Sequence, residues 1–392
     1  MIIDTELLNE LAYSLKDQKA NLLLFLRKMK IGVFSYIVTL FSIQLIAQND
    51  GNERDNTPKY SNEFMNIGVS ARSFGMGFTA VSFINDVTAG YWNPAGLNEM
   101  SADHQLALMH SSYFGGLANY DYAAFTTSVD EESKIALSVI RFSVDDIPDT
   151  RLLVDVNGAI NYDNIEFFSS SDYGFLLSYA RELSDLGGVS VGGNVKVIHR
   201  TVGNFSKAWG FGLDFGLQKS LNNWQLGLVA RDILGTFNAW SHTVEEFEEI
   251  YARTGNDVPV NSLEVTLPRL VVGGSRNVSF AKVFGLLASV DLDFTFDGKR
   301  NTLVKSEMIS IAPKAGIEFD YKEIGFLRLG INQFQQIKDF DGTKSWSSQP
   351  NMGLGIKIKE LTIDYALTDI GDLAPGLYSH VFSITVDFNV EE

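Results

Sequence analysis

Beyond Leu97 the chain repeats with a period of two. Trp209, Phe211, Leu213, Phe215 and Leu217 alternate with Ala208, Gly210, Gly212, Asp214, Gly216 and Gln218. Phe284, Leu286, Ala288, Val290, Leu292, Phe294 and Phe296 stand against Ser289, Asp291, Asp293 and Thr295. Met352 to Ile358, Leu361 to Leu367 and the closing Phe382, Ile384, Val386 and Phe388 repeat the pattern. Successive side chains of a strand point to opposite faces, so this periodicity predicts an all-β protein.

Alternation alone means a half-buried sheet, which a soluble sandwich also has. Connection lengths separate the two. About fourteen runs have the roughly nine to eleven residues that a tilted membrane strand needs. The connections at 112–118, 145–172, 202–206, 232–263, 298–306, 334–349 and 370–376 alternate with tight ones at 130–133, 184–188, 220–223, 277–280, 322–324 and 359–360. Each member of the first set is longer than the turn that follows it. Long outer loops and short periplasmic turns are the asymmetry of an outer-membrane barrel. The expected fold is a transmembrane antiparallel β-barrel of about fourteen strands over 104–392. An aromatic strand at the carboxyl end fits closure, which leaves no edge. Pro313, inside the run 311–321, is expected at a bulge or a strand end because it removes a ladder donor.

The first hundred residues break this rhythm. Arg27, Lys28 and Lys30 precede an apolar run from Ile31 to Ala47 and then the polar Asn49-Asp50-Gly51. That order predicts a signal peptide with extra amino-terminal residues over 1–48. A leader and plug segment is expected over 49–103. Within it, Gly75-Met76-Gly77-Phe78-Thr79-Ala80 formally fits a dinucleotide loop. The stretch before it is too polar and broken for the buried strand that such a loop requires.

A stronger signal is Ala71, Arg72, Gly75, Met76, Gly77, then Asn85, Asp86, Ala89, Asn93, Pro94, Ala95, Gly96 and Leu97. This pattern resembles the opening of the PorV/PorQ family of Bacteroidetes outer-membrane proteins, relatives of FadL-type hydrophobic-substrate channels. Segments at 145–151, 236–240, 267–269 and 364–369 resemble the family too. The resemblance implies a hatch at the base of the barrel built on Arg72, Gly75, Gly77, Asp86, Trp92, Asn93, Pro94 and Gly96. It also implies a bacterial outer-membrane location and a role in type IX secretion or surface assembly by docking secretion-system or cargo proteins. Docking would use the long loops, with Trp240, Glu245, Glu246, Glu248 and Glu249 in the longest. The rival expectation is a FadL-like transporter of hydrophobic small molecules, with a movable plug. An apolar pocket beside the hatch would favour transport, and a polar, filled lumen would favour docking.

Composition narrows the chemistry. The net charge of −17 argues against nucleic acid as a partner, which selects basic surfaces, while the outer-membrane location that the resemblance implies makes lipid and lipopolysaccharide the expected surroundings. With no cysteine, thiolate metal sites and thiol nucleophiles are excluded. The five histidines lack metal-binding spacing. Gly188-Val189-Ser190-Val191-Gly192 fits a nucleophile elbow in letters, but a tight turn precedes it and an alternating strand runs through it. Neither an enzyme nor a cofactor is expected. Arg231, Lys314, Glu318, Asp320, Arg328 and Asp364 fall on polar faces, where opposite charges should pair with each other or with Arg72 and Asp86.

Overall fold

A computed structural model of the chain describes residues 60–154, 157–243, 259–338, 341–368 and 379–389, with 248, 251, 252, 255 and 257 between them. The expected signal peptide at 1–48 and the leader at 49–59 lie outside the described residues. The strands are β1 (His104–Tyr113), β2 (Ala118–Asp130), β3 (Ser133–Asp149), β4 (Glu166–Leu183), β5 (Val189–Val202) and β6 (Ser206–Leu221). There follow β7 (Trp224–Arg231), β8 (Thr236–His242), β9 (Ser262–Thr266), β10 (Arg269–Phe280), β11 (Phe284–Thr295) and β12 (Val304–Lys305). The last are β13 (Ser310–Tyr321), β14 (Gly325–Lys338), β15 (Lys344–Ile358), β16 (Leu361–Thr368) and β17 (Ser379–Phe388).

Fourteen of these strands close a ring: β1 to β7, β10, β11 and β13 to β17, with β17 pairing back onto β1. Every pair is antiparallel. Two of the others continue ring strands. The lower part of β6 pairs with β7, from Phe215 opposite Ala230 to Leu221 opposite Trp224. Its upper part pairs with β8, from Ser206 opposite His242 to Phe211 opposite Phe237. So β7 and β8 are one strand broken at 232–235, and β9 and β10 are one strand broken at Leu267 and Pro268. Asp232 and Gly235 take positive φ at the first break (53° and 76°), and Pro268 cannot donate to a ladder at the second.

The turns at 131–132, 184–188, 222–223, 281–283, 322–324 and 359–360 share one end of the barrel, and the longer connections share the other. Parts of the expected loops prove to be strand. β3 and β4 extend to Asp149 and back from Glu166, so much of 145–172 is hairpin, and 232–263 contains all of β8 and the start of β9. Pro313 sits at neither a bulge nor a strand end. It lies within β13 opposite Leu292, past the point where the ladder to β14 stops at Ala315 and Ile331.

The two faces sort as the alternation predicts. Phe215 and Val290 point outward, 38% and 52% exposed, while Gly216, Ser289 and Asp291 point into the lumen. Placing arginine at Val290 should therefore cost roughly 2–4 kcal/mol if that face meets hydrocarbon. Heat-modifiable gel mobility of Val290→Arg measures this, with Ser289→Arg as the inward comparison. Equal tolerance at both positions would mean that the outward face is not in lipid.

Candidate functional site: the plug and its wall

Residues 60–103 run the length of the lumen. At the long-loop end Tyr60 stacks beneath the Arg300 guanidinium, 4.7 Å from ring centre to charge. Asn62 donates to Thr266 Oγ1 at 2.8 Å and accepts from Asn238 at 2.8 Å. Two short helices follow, α1 (Ala71–Gly75) and α2 (Ala89–Trp92). At the short-turn end Glu99 accepts from Ser190 and Ser220, and Lys134 donates to the Met100 and Ala102 carbonyls at 2.8 and 2.6 Å. The hatch is thus not confined to the base. Val69, Phe74, Met76, Phe83, Ile84, Val87 and Leu97 are all buried, and only a plug that fills the barrel can dry so much apolar surface.

Its polypeptide packs directly on the backbone of the wall. A Cβ on Gly75 would lie 2.8 Å from the Gly353 Cα. Gly77 has φ +65°, and a side chain there would strike the β14 backbone at Gly330 and Ile331. The wall answers with glycines of its own. Gly330 faces Gly77, Gly316 faces Met76, Gly227 faces Val81, and Gly192 and Gly216 face Pro94. Asn93 fixes the turn: its side chain accepts from Ala95 N and donates to the Val81 and Leu217 carbonyls at 2.7 and 3.0 Å. Pro94 begins the 3₁₀ turn that follows, and Gly96 packs against Ile84 and Gln218. Trp92 does not reach a mouth of the barrel. Its indole N–H donates to Val69 O at 2.9 Å, inside the plug.

One side of the lumen is charged. Glu318 takes two bonds from Arg72 of the plug (3.0 and 2.8 Å) and one from Arg328 at 2.5 Å. Arg328, 2% exposed, also donates to Asp364 at 2.6 Å. Farther round, Lys196 bridges Asp214 (2.8 Å) and Asp232. Asp291 accepts the plug's Ala80 and Val81 N–H groups at 2.9 and 3.2 Å. Arg231 lies over the Tyr91 ring at 4.8 Å and donates to the Tyr91 carbonyl. Lys314 reaches Asp293 at 3.4 Å. Such pairs require good geometry to offset desolvation, and both plug and wall contribute to it. Asp86 behaves otherwise: it turns back onto the Thr88 N–H and hydroxyl of its own segment. Asp320 caps the 322–324 turn instead of pairing in the lumen.

On the opposite side large apolar residues are buried together, among neutral polar ones such as Gln105, Ser138, Ser178 and Asn194. Met109 on β1, Tyr120, Tyr122 and Ala124 on β2, Ala136 and Ile140 on β3, Leu176 on β4 and Ile198 on β5 form one buried cluster with the plug's Phe64, Met65, Val87, Tyr91 and Trp92. Period two says which residues share a face. It does not say what covers that face.

Between plug and wall the cavities are small. One of about 20 Å³ is lined by Met65, Tyr91, Lys196, Asp214 and Arg231, and one of about 30 Å³ by Phe78, Trp92, Arg269, Asp291 and Lys314. Each has room for a water molecule or two and for no larger ligand.

The proposed docking residues are dispersed. Trp240 belongs to strand β8, where it faces inward beneath Arg200 and donates to Glu264 at 2.8 Å. The break at Asp232 had made this strand look like loop. Glu248 is exposed in the connection, while Glu245, Glu246 and Glu249 lie outside the described residues. Ser190 sits at the start of β5 as a partner of Glu99, with no helix after it. Asp291 was not singled out as a plug anchor, nor Lys196 and Asp214 as a charged pair within the wall. Their only sequence signal was charge at an inward position between large outward residues.

Comparison with protein families and with curated proteins finds no match. Solved structures do match. The Ralstonia pickettii toluene transporter TbuX superposes with a TM-score of 0.51 at 14% identity, over 82% of this chain and 99% of its own. The Pseudomonas putida toluene transporter TodX gives 0.52 at 13%, over 82% and 98%. The CymD monoaromatic hydrocarbon channel gives 0.51 at 14%, over 83% and 99%. The chain therefore has the fold of the FadL-like outer-membrane barrels: a closed fourteen-stranded antiparallel barrel.

Proposed function

We propose that this protein sits in a bacterial outer membrane and passes hydrophobic small molecules through its lumen when the plug moves. The observation that carries this is the division of the lumen. The plug's ion pair with Glu318 and its bonds to Arg231 and Asp291 lie on the β7 to β13 side, whereas against β1 to β5 it packs on the buried apolar cluster, with hydrogen bonds there to Gln105, Lys134, Ser190 and Asn194. A shift pivoting on the charged side would open a path lined by apolar side chains, along which an apolar solute loses little of its transfer free energy. The kinship of fold with toluene transporters and a hydrocarbon channel supports the same reading. The test is uptake of labelled toluene by intact cells whose outer leaflet is lipopolysaccharide, with and without the protein. Several-fold faster uptake is expected, and no difference would remove transport.

A second reading, docking of secretion-system or cargo proteins in type IX secretion or surface assembly, draws support from the charged half and from cavities too small for a ligand. It requires the plug to stay in place, and co-purification of defined partners from native membranes would favour it. The plug itself is tested by deleting residues 62–97. Ion conductance in planar bilayers should rise sharply while heat-modifiable mobility persists. Unchanged conductance would mean that the wall closes the lumen unaided.

A further inference from the structure

The apolar side of the lumen contains a polar pair. Tyr120 is 0% exposed, and its hydroxyl has no hydrogen-bond partner among the described residues. Ser111 stands directly opposite on the neighbouring strand, also 0% exposed, and its hydroxyl likewise has none. A serine can turn back onto its own backbone, but a tyrosine hydroxyl is too far from its main chain to do so. Leaving a phenol dry and unpaired costs free energy that a phenylalanine would not, so its presence calls for an explanation. The surroundings are aromatic: Tyr113 and Phe142 lie with ring centroids 6.4 Å from Tyr120, and the plug's Tyr91 belongs to the same cluster. Both residues lie near the long-loop end of their strands, where the connection 114–117 joins β1 to β2.

Building on the transport reading, we propose that Tyr120, with Ser111 beside it, is the specificity-determining point of the apolar path. It selects neutral hydrophobic molecules that carry one hydrogen-bonding group, a carbonyl or a hydroxyl, over bare hydrocarbons of the same shape. A carbonyl oxygen accepts from the Tyr120 O–H and, through its second lone pair, from the Ser111 O–H, and a hydroxyl can also donate to Ser111 Oγ. The class is neutral because the buried inward positions of β1 to β3 carry no charged side chain, so an ionised head group would lie there unpaired. A site built to hydrogen-bond a ligand discriminates against the analogue that lacks the group, because its own polar atom then stays unpaired.

Acetophenone and ethylbenzene share a ring and a two-carbon side chain and differ by one carbonyl. Uptake of each by intact cells, corrected for cells lacking the protein, should favour acetophenone by about tenfold, the size of one net hydrogen bond. Tyr120→Phe should remove the preference by slowing acetophenone alone, and Ser111→Ala, which cannot disturb packing much, should weaken it. Heat-modifiable mobility confirms that each variant is folded. If both compounds enter faster than in control cells but at equal rates, or if Tyr120→Phe keeps the preference, this assignment falls and transport stands. If neither compound enters faster than in control cells, the transport reading itself has failed.

Discussion

Replacing Glu318 by alanine should unseat the plug. Its carboxylate lies between the guanidinium of Arg72, which comes from the plug, and that of Arg328, which comes from the wall. Without it, Arg328 retains Asp364, while Arg72 retains a hydrogen bond of 3.4 Å to Asn85 and the face of Phe83. Removing one partner of a buried pair costs roughly 3–5 kcal/mol, because the other charge stays buried without compensation. The least costly relaxation is for Arg72 to carry α1 toward water. Three readouts should move together: a lower urea midpoint for the heat-modifiable band, trypsin cleavage at Arg72, and higher conductance. Glu318→Gln, which can still accept hydrogen bonds, should fall between. A wild-type midpoint with Arg72 still protected would show that the ion cluster does not hold the plug.

The second large effect should come from adding one isopropyl group to the wall. Gly330→Val places a β-branched residue in β14, which strands favour. Seen from the barrel alone, the change is neutral or helpful. Seen from the plug it is forbidden, since the new Cβ would lie 2.0 Å from Gly77 N and 2.3 Å from the Met76 carbonyl carbon. The expected result is a barrel of normal heat-modifiable mobility whose plug is displaced, read as increased conductance. Gly325 begins the same strand with open space around it, so Gly325→Val should leave conductance at the wild-type level. Equal conductance in the two variants would mean that wall and plug can part by an ångström or more without opening a path.

The barrel was legible because its signal is local. Trp209 to Leu217 and Phe284 to Phe296 each announce a strand and its two faces, and the alternation of short and long connections announces which end is which. The plug was legible for a different reason, since Gly75, Gly77 and the Asn93-Pro94 turn interrupt any strand. What could not be read depends on contacts between residues far apart in the chain. Nothing in the run around Gly330 marks it as the partner of Gly77. In β3 and β4 both faces are apolar, as Ala136-Leu137 and Leu176-Leu177 show, so an inward-facing Ile140 or Leu176 looked no different from its outward neighbours. Trp240 was misplaced because Asp232 and Gly235 are turn formers, and here the turn breaks a strand without ending it.

The pairing of β1 with β17 joins the first strand to the last, His104 opposite Phe388 and Ser112 opposite His380. The plug enters the ring through β1, immediately after Met100 and Ala102. Its tether and the closing ladder therefore share one line along the barrel. Unzipping that single line would free the plug sideways, with its tether still attached and no strand drawn past another. The ladder between β1 and β17 is thus the seam at which the wall is fastened around residues 60–103.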